Sequence, residues 1–150
     1  MAEGRAQTPQ EEEAIRIIRR WNDEGWTNRQ YDVAYELISP DMVAHAAGQS
    51  MELGPAGIIE LLKRWHTAFP DGRMEIDNIF AEGDIVLIQN TWYGTHNGEF
   101  YGIQPTGKSV KITSIGMDRV ADGKVVEGWG IANMLGAMQQ MGVIPTPGSS

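Results

Sequence analysis

The chain has 150 residues, 41% hydrophobic and 21% charged, with a formal net charge of −8. That is one domain's worth of ordinary globular sequence. The acidic balance argues against a nucleic-acid or anionic-membrane surface, which needs a basic patch. No apolar run is long enough to span a bilayer. Cysteine is absent, so disulfides, thiol nucleophiles and thiolate metal sites are excluded.

Met1 to Gln10 is polar and carries no signal pattern, so a cytoplasmic location is expected. Thr8-Pro9-Gln10-Glu11 opens a first helix, with Thr8 as N-cap, Pro9 at the first position and Glu11 three residues after the cap. Ala14, Ile15, Ile18 and Trp21 share its apolar face, and it is expected to end near Gly25. Glu11 to Glu13 read as a solvated first turn. A second helix is expected over 29–38, stopped by Ser39-Pro40-Asp41. Met42 to Ala46 reads as a short strand carrying His45, and Gly48 to Gly54 as a loop. Gly54-Pro55 opens a third helix, and Pro70-Asp71-Gly72 closes it.

From Arg73 the hydrophobic period changes to that of strands: 73–81, then a turn at Glu82-Gly83-Asp84, then 85–93. A glycine-rich loop, 94–108, follows. Val110 to Val120 and Val125 to Ala132 form a hairpin around Asp122-Gly123, and a last helix runs over 133–141. Residues 1–8 and 143–150 are expected to be loose tails of a single domain over 1–150. Helices first, then an antiparallel meander, then a closing helix is the α+β layout.

Strand alternation groups Val126, Gly128, Gly130 and Ala132 on one face, and Val125, Glu127, Trp129 and Ile131 on the other. The first face is nearly bare, which leaves room for a backbone or a ligand.

Four segments carry a resemblance: SPDMVAH (39–45), AFPDGRMEIDNIFAEGDIV (68–86), GTHNGEFYGIQPTGK (94–108) and RVADGKVVEGWGIANMLGAMQQMG (119–142). Together they resemble the SnoaL-like polyketide cyclases, or ester cyclases, of the NTF2-like (cystatin-like) superfamily. The resemblance implies an NTF2-like cone-shaped barrel, in which a curved, mainly antiparallel sheet wraps three N-terminal helices and ends on a short C-terminal helix. It implies an apolar cavity, a homodimer or dimer of dimers built through the sheet, and a place in secondary metabolism. It also implies ring closure of a polyketide by an aldol reaction, with no metal and no cofactor, using an Asp as acid/base and a His as assistant.

This chain departs from the family pattern there. The acid/base Asp falls on Gly130, the assisting His on Gly116, and a second Asp on Asn133. His45, matched to the family's first strand, is the remaining candidate proton carrier near the cavity mouth, or else a structural histidine. Asn133 reads as a helix N-cap or as an amide that orients a ligand carbonyl. Trp21, Trp65, Trp92, Met117 and Met134 read as cavity walls or plain core, with Gly116 and Gly130 as the bare floor. Asp118 is on the Gly116 face, an outside candidate for a displaced carboxylate; a strand-end charge facing water is the simpler reading. His66 is expected on the exposed side of its helix, and His96 and Tyr101 in the loop as possible gates. No His spacing suggests a metal site.

Two functions follow: a cofactor-independent enzyme acting on a polyketide-type or polycyclic small molecule, or a non-catalytic binding protein for an apolar ligand. A purely structural dimerisation domain is a third.

Overall fold

The structure, a computed structural model, describes residues 5–148. Residues 1–4 and 149–150 of the two expected tails lie outside the described residues. Arg5, expected in a loose tail, instead pairs with the edge of the sheet: its N–H donates to Ile79 and its carbonyl accepts from Ala81.

Helix α1 spans Pro9–Arg20. Its cap is the expected one, with Thr8 Oγ1 accepting from the Glu11 N–H. Glu11 is not solvated. It is buried, and its carboxylate accepts from the N–H groups of Gln7 and Gly83. One side chain thus ties the helix start to a strand turn. The chain continues past Arg20 as a π-helical segment, Trp21–Thr27, rather than stopping at Gly25. The widened turn is held from outside: Asn22 Nδ2 and Thr27 Oγ1 both donate to the Met74 carbonyl, and Thr27 Oγ1 accepts from the Met74 N–H. Gly25 lies against the Trp21 ring, where a Cβ would come within 2.6 Å.

Helix α2 is only Val33–Leu37, because Arg29 takes a positive φ of 60°. Strand β1, Ile38–Ala46, begins at once. Ser39-Pro40-Asp41 is therefore inside a strand, where the pairing with the strand over Lys124–Ala132 is interrupted between Ile38 and Val43. An interruption of that kind accommodates a proline that cannot donate. The segment read as a loop contains strand β2, Gln49–Glu52, joined to β1 through Ala47 and Gly48, both at positive φ as a tight hairpin requires. Helix α3, Gly54–Ala68, follows. Then come β3 (Arg73–Glu82), β4 (Ile85–Thr95), β5 (Ser109–Ala121), β6 (Lys124–Ala132) and α4 (Met134–Met141).

The sheet order is β2-β1-β6-β5-β4-β3, with β1 and β6 parallel and every other pair antiparallel. This is an α+β fold with a curved six-stranded sheet, N-terminal helices against its inner face and a short closing helix. One core cluster joins Ile15, Ile18 and Leu62 of the helices to Ile79, Val86 and Val125 of the sheet. The other is aromatic and includes Phe69, Trp92 and Phe100, with Met141 of α4. Alternation groups Val125 with Glu127, Trp129 and Ile131, yet it does not share their face. The β5–β6 register shifts between Arg119 and Val120, which leaves Val126 as the extra residue and turns Val125, 2% exposed, into the core.

Candidate functional site

The inner face of β5 reads Val110, Ile112, Ser114, Gly116, Asp118 and Val120. Across the ladders, Gly116 pairs with Ile88 and Gly130, Asp118 with Val86 and Gly128, and Ser114 with Asn90 and Ala132. The bare strip is therefore a continuous inner-face patch of Gly116, Gly128 and Gly130. It is open at Gly116 and Gly130 and filled at Gly128. A Cβ on Gly130 would meet nothing within 4 Å, and one on Gly116 would meet only the Trp129 carbonyl at 3.4 Å.

Asp118 stands at one end of that patch. It does not face water as a strand-end charge, because β5 runs on to Ala121 and keeps Asp118 three residues inside the strand. Its carboxyl is folded over Gly128, whose added Cβ would lie 2.6 Å from Oδ1 and 3.3 Å from Met42 Cε. Val86 and Val120 flank it, both buried. No protein hydrogen bond or ion pair reaches it among the described residues, so nothing offsets its desolvation. Burial alone pushes its pKa up to about 7. At the other end, about 13 Å along the strand, Ser114 Oγ donates to Asn90 Oδ1. The Asn90 amide N–H groups are left to donate elsewhere.

The other expected residues divide. Trp65 and Trp92 meet edge to face at 5.6 Å in the aromatic cluster, with Met134 packed against it. Trp26, which sequence reasoning missed, joins both at 6.0 and 5.8 Å from the π segment. Trp21 belongs instead to the aliphatic cluster. Met117 is on the outer face, paired with Leu87 and Trp129, and takes no part in the inner patch. Asn133 caps α4, its Oδ1 accepting from the Gly136 N–H at 2.9 Å.

His45 is also on the outer face. Its ring stacks on Trp129 at 5.1 Å, Nε2 lies 2.8 Å from Glu127 Oε2, and Nδ1 lies 2.7 Å from Ser50 Oγ. Strand pairing puts it opposite Trp129, one position off the inward row of Ala44 and Ala46. His66 is buried rather than exposed, between the Tyr31 hydroxyl and the Trp26 carbonyl. Burial holds its pKa below the usual histidine range. His96 is fully buried and accepts at Nδ1 from the Thr106 N–H, so it anchors the loop rather than gating it. Tyr101 is exposed at the loop tip. No group of three metal-ligating side chains occurs among the described residues.

A surface groove of about 400 Å³ lies between α1, the π segment and β3. It holds none of the expected site residues. Asn22 and Asp77 on its wall already have partners in Met74 and Thr91. The inner patch, with its unpartnered carboxyl, is the better candidate for chemistry.

Comparison with known proteins agrees with the resemblance read from the sequence. The profile of the SnoaL-like polyketide cyclases matches residues 16–141, and the chain belongs to that family. Among solved structures it is similar to a candidate SnoaL-like polyketide cyclase from Jannaschia sp. CCS1, with 27% identity over 95% of this chain and 100% of that one and a TM-score of 0.84. It is also similar to AclR, a candidate hydroxylase from Streptomyces galilaeus (31% identity, 90% and 84% coverage, TM-score 0.80). IdmH, a candidate polyketide cyclase from Streptomyces antibioticus, is a third (28% identity, 86% and 98% coverage, TM-score 0.77). No curated protein matches the chain significantly.

Proposed function

We propose that the protein is a cofactor-independent enzyme that moves a proton on a polyketide-type or polycyclic small molecule held over Gly116 and Gly130, with Asp118 as the acid/base. The observation that carries this is a lone carboxyl aimed inward at the edge of an open glycine strip, where burial pushes its pKa up to about 7. A base that loses its proton near the working pH is matched to abstraction next to a carbonyl. The Asn90 amide, on the same inner face but far from Asp118, is a donor suited to a second carbonyl at the far end of a flat substrate, where it would orient the molecule rather than hold the enolate. In this reading the family's carboxylate has moved rather than vanished. Asp118 is one strand over from the Gly130 position and two residues along from Gly116. Ring closure is the reaction that family membership favours.

The glycine strip alone would serve a binding protein equally well; the unpartnered Asp118 is what favours catalysis. The test is deuterium uptake from D2O at the carbon between the carbonyls of a polycyclic β-keto ester. Asp118→Asn should slow uptake at least a hundredfold, in the range that general bases contribute. Equal rates in wild type and Asp118→Asn would remove Asp118 from the mechanism.

The outer face supports a homodimer in the same proposal. Leu87, Ile115 and Ile131 are exposed there, Ile131 by 80%, on adjacent strands. A contiguous apolar face of this kind suits an isologous contact with a second copy. Among the described residues no helix is long and apolar enough to cross a membrane.

A further inference from the structure

The other unassigned chemistry is at the free edge of the sheet. Glu127 is an ionised acceptor: the His45 contact and Arg119 hold its carboxyl below the usual range. A carboxylate can only accept, so the His45 proton resides on Nε2, 2.8 Å from Glu127 Oε2. In the neutral ring Nδ1 is then the acceptor, and the hydroxyl 2.7 Å away on Ser50 is placed to be its donor. The ring cannot easily turn, because it is stacked on Trp129 at 17°. Glu127 is braced in turn by Arg119, which bonds Asp84 at 2.8 Å.

Nucleophile, base and orienting carboxylate are thus in hydrogen-bond sequence. Ser50 is exposed on β2, the outermost strand, on the same outer face as Ile131 and two strands beyond it. The Leu53 N–H bond to the Met42 carbonyl fixes the β1–β2 alternation, which makes His45 and Ser50 a non-hydrogen-bonded pair. The Ser50 N–H therefore points to the open edge, beside its own hydroxyl, where a developing oxyanion would sit.

We propose that Ser50, His45 and Glu127 form a second active site, a serine relay that cleaves small carboxylic esters at the sheet edge. Ser50 Oγ adds to the ester carbonyl carbon as its proton passes to His45 Nδ1, and the carbonyl electron pair moves to oxygen. Collapse breaks the carbon–alkoxy bond, and the leaving alcohol takes the proton from His45. Water repeats the sequence on the acyl-serine, which releases the acid and returns the proton to Ser50.

The probe is an alkyl fluorophosphonate, which loses fluoride as it bonds to an activated serine, read by intact-mass and peptide-mapping mass spectrometry. The expected result is one adduct, on Ser50, that is absent in Ser50→Ala and forms at least tenfold more slowly in His45→Gln and in Glu127→Gln. Hydrolysis of p-nitrophenyl butyrate should fall in the same order. No adduct, an adduct on other residues, or a labelling rate at Ser50 that ignores both His45→Gln and Glu127→Gln would overturn the proposal. Glu127→Gln keeps the stacked ring and the hairpin, so it separates lost activation from lost folding.

Discussion

Gly128 stands directly across the β5–β6 ladder from Asp118, and a methyl group on it would lie 2.6 Å from the carboxyl oxygen. The position two residues on, Gly130, has open space where its side chain would be. Gly128→Ala should therefore push the carboxyl off its seat and cost about 1–3 kcal/mol, as overpacking does. Gly130→Ala should leave stability within about 0.5 kcal/mol. Urea unfolding of the two variants side by side checks this, and equal losses would contradict the described seat.

Asp118 also makes stability depend on pH. Folded, it keeps its proton up to about pH 7; unfolded, it releases it near the ordinary 3.8. Its stabilising contribution is full below pH 3.8 and is lost as pH rises through 7. At about 1.4 kcal/mol per unit the loss is of the order of 4 kcal/mol, less whatever access to water relieves. Asp118→Asn should be more stable than wild type at pH 8 by about 2–4 kcal/mol, with the gap closing towards pH 4. Denaturation at both pH values measures it.

His66 works in the opposite sense. Its folded pKa is lowered by burial, so its contribution is present above the unfolded value near 6.5 and is lost as pH falls below it. Its neutral form is held by the Tyr31 hydroxyl at 2.7 Å. Tyr31→Phe removes that donor and leaves a buried acceptor, at a cost of about 1–2 kcal/mol at pH 7.5. Thermal unfolding should show the loss, and an unchanged midpoint would mean that the bond contributes nothing.

Asn133 is the N-cap of an eight-residue helix that closes the aromatic cluster. Asn133→Ala should cost about 1 kcal/mol, and Asn133→Asp should restore it. Rescue by Asp, read by urea unfolding, identifies the cap as its structural task.

The outer face gives a further test. Ile131→Lys with Ile115→Lys puts charges on a face exposed by 80% and 58% at those positions. Sedimentation should shift from dimer to monomer with the fold intact by circular dichroism. A protein that is monomeric without these changes would contradict the proposed dimer.

Much of this was legible in the sequence because strand parity holds between bulges. Gly116 and Asp118 share one face of β5, and Gly128, Gly130 and Ala132 share one face of β6. The helix cap at Thr8, the Asp122-Gly123 turn and the Asn133 cap follow from local chemistry in the same way. What was not legible depends on contacts between distant segments. His45 is on the outer face because β1 pairs in parallel with β6, more than eighty residues away. Val125 faces the core because of a register shift that alternation alone does not show. His66 is buried because the Tyr31 hydroxyl and the Trp26 carbonyl close over it, and Trp26 joins the aromatic cluster from a π-helical segment that α-helical periodicity does not show. Asn90 could have been found: it alternates with Ile88 and Trp92 on the inward row of β4.

The most direct measurement is a carbon-13 NMR titration of the aspartate carboxyls, in wild type and in Asp118→Asn. One carboxyl resonance should titrate with a midpoint near 7 and be missing from the variant. If every aspartate carboxyl titrates below pH 5, Asp118 is not the neutral-pH proton carrier, and the proposed chemistry at the glycine strip fails with it.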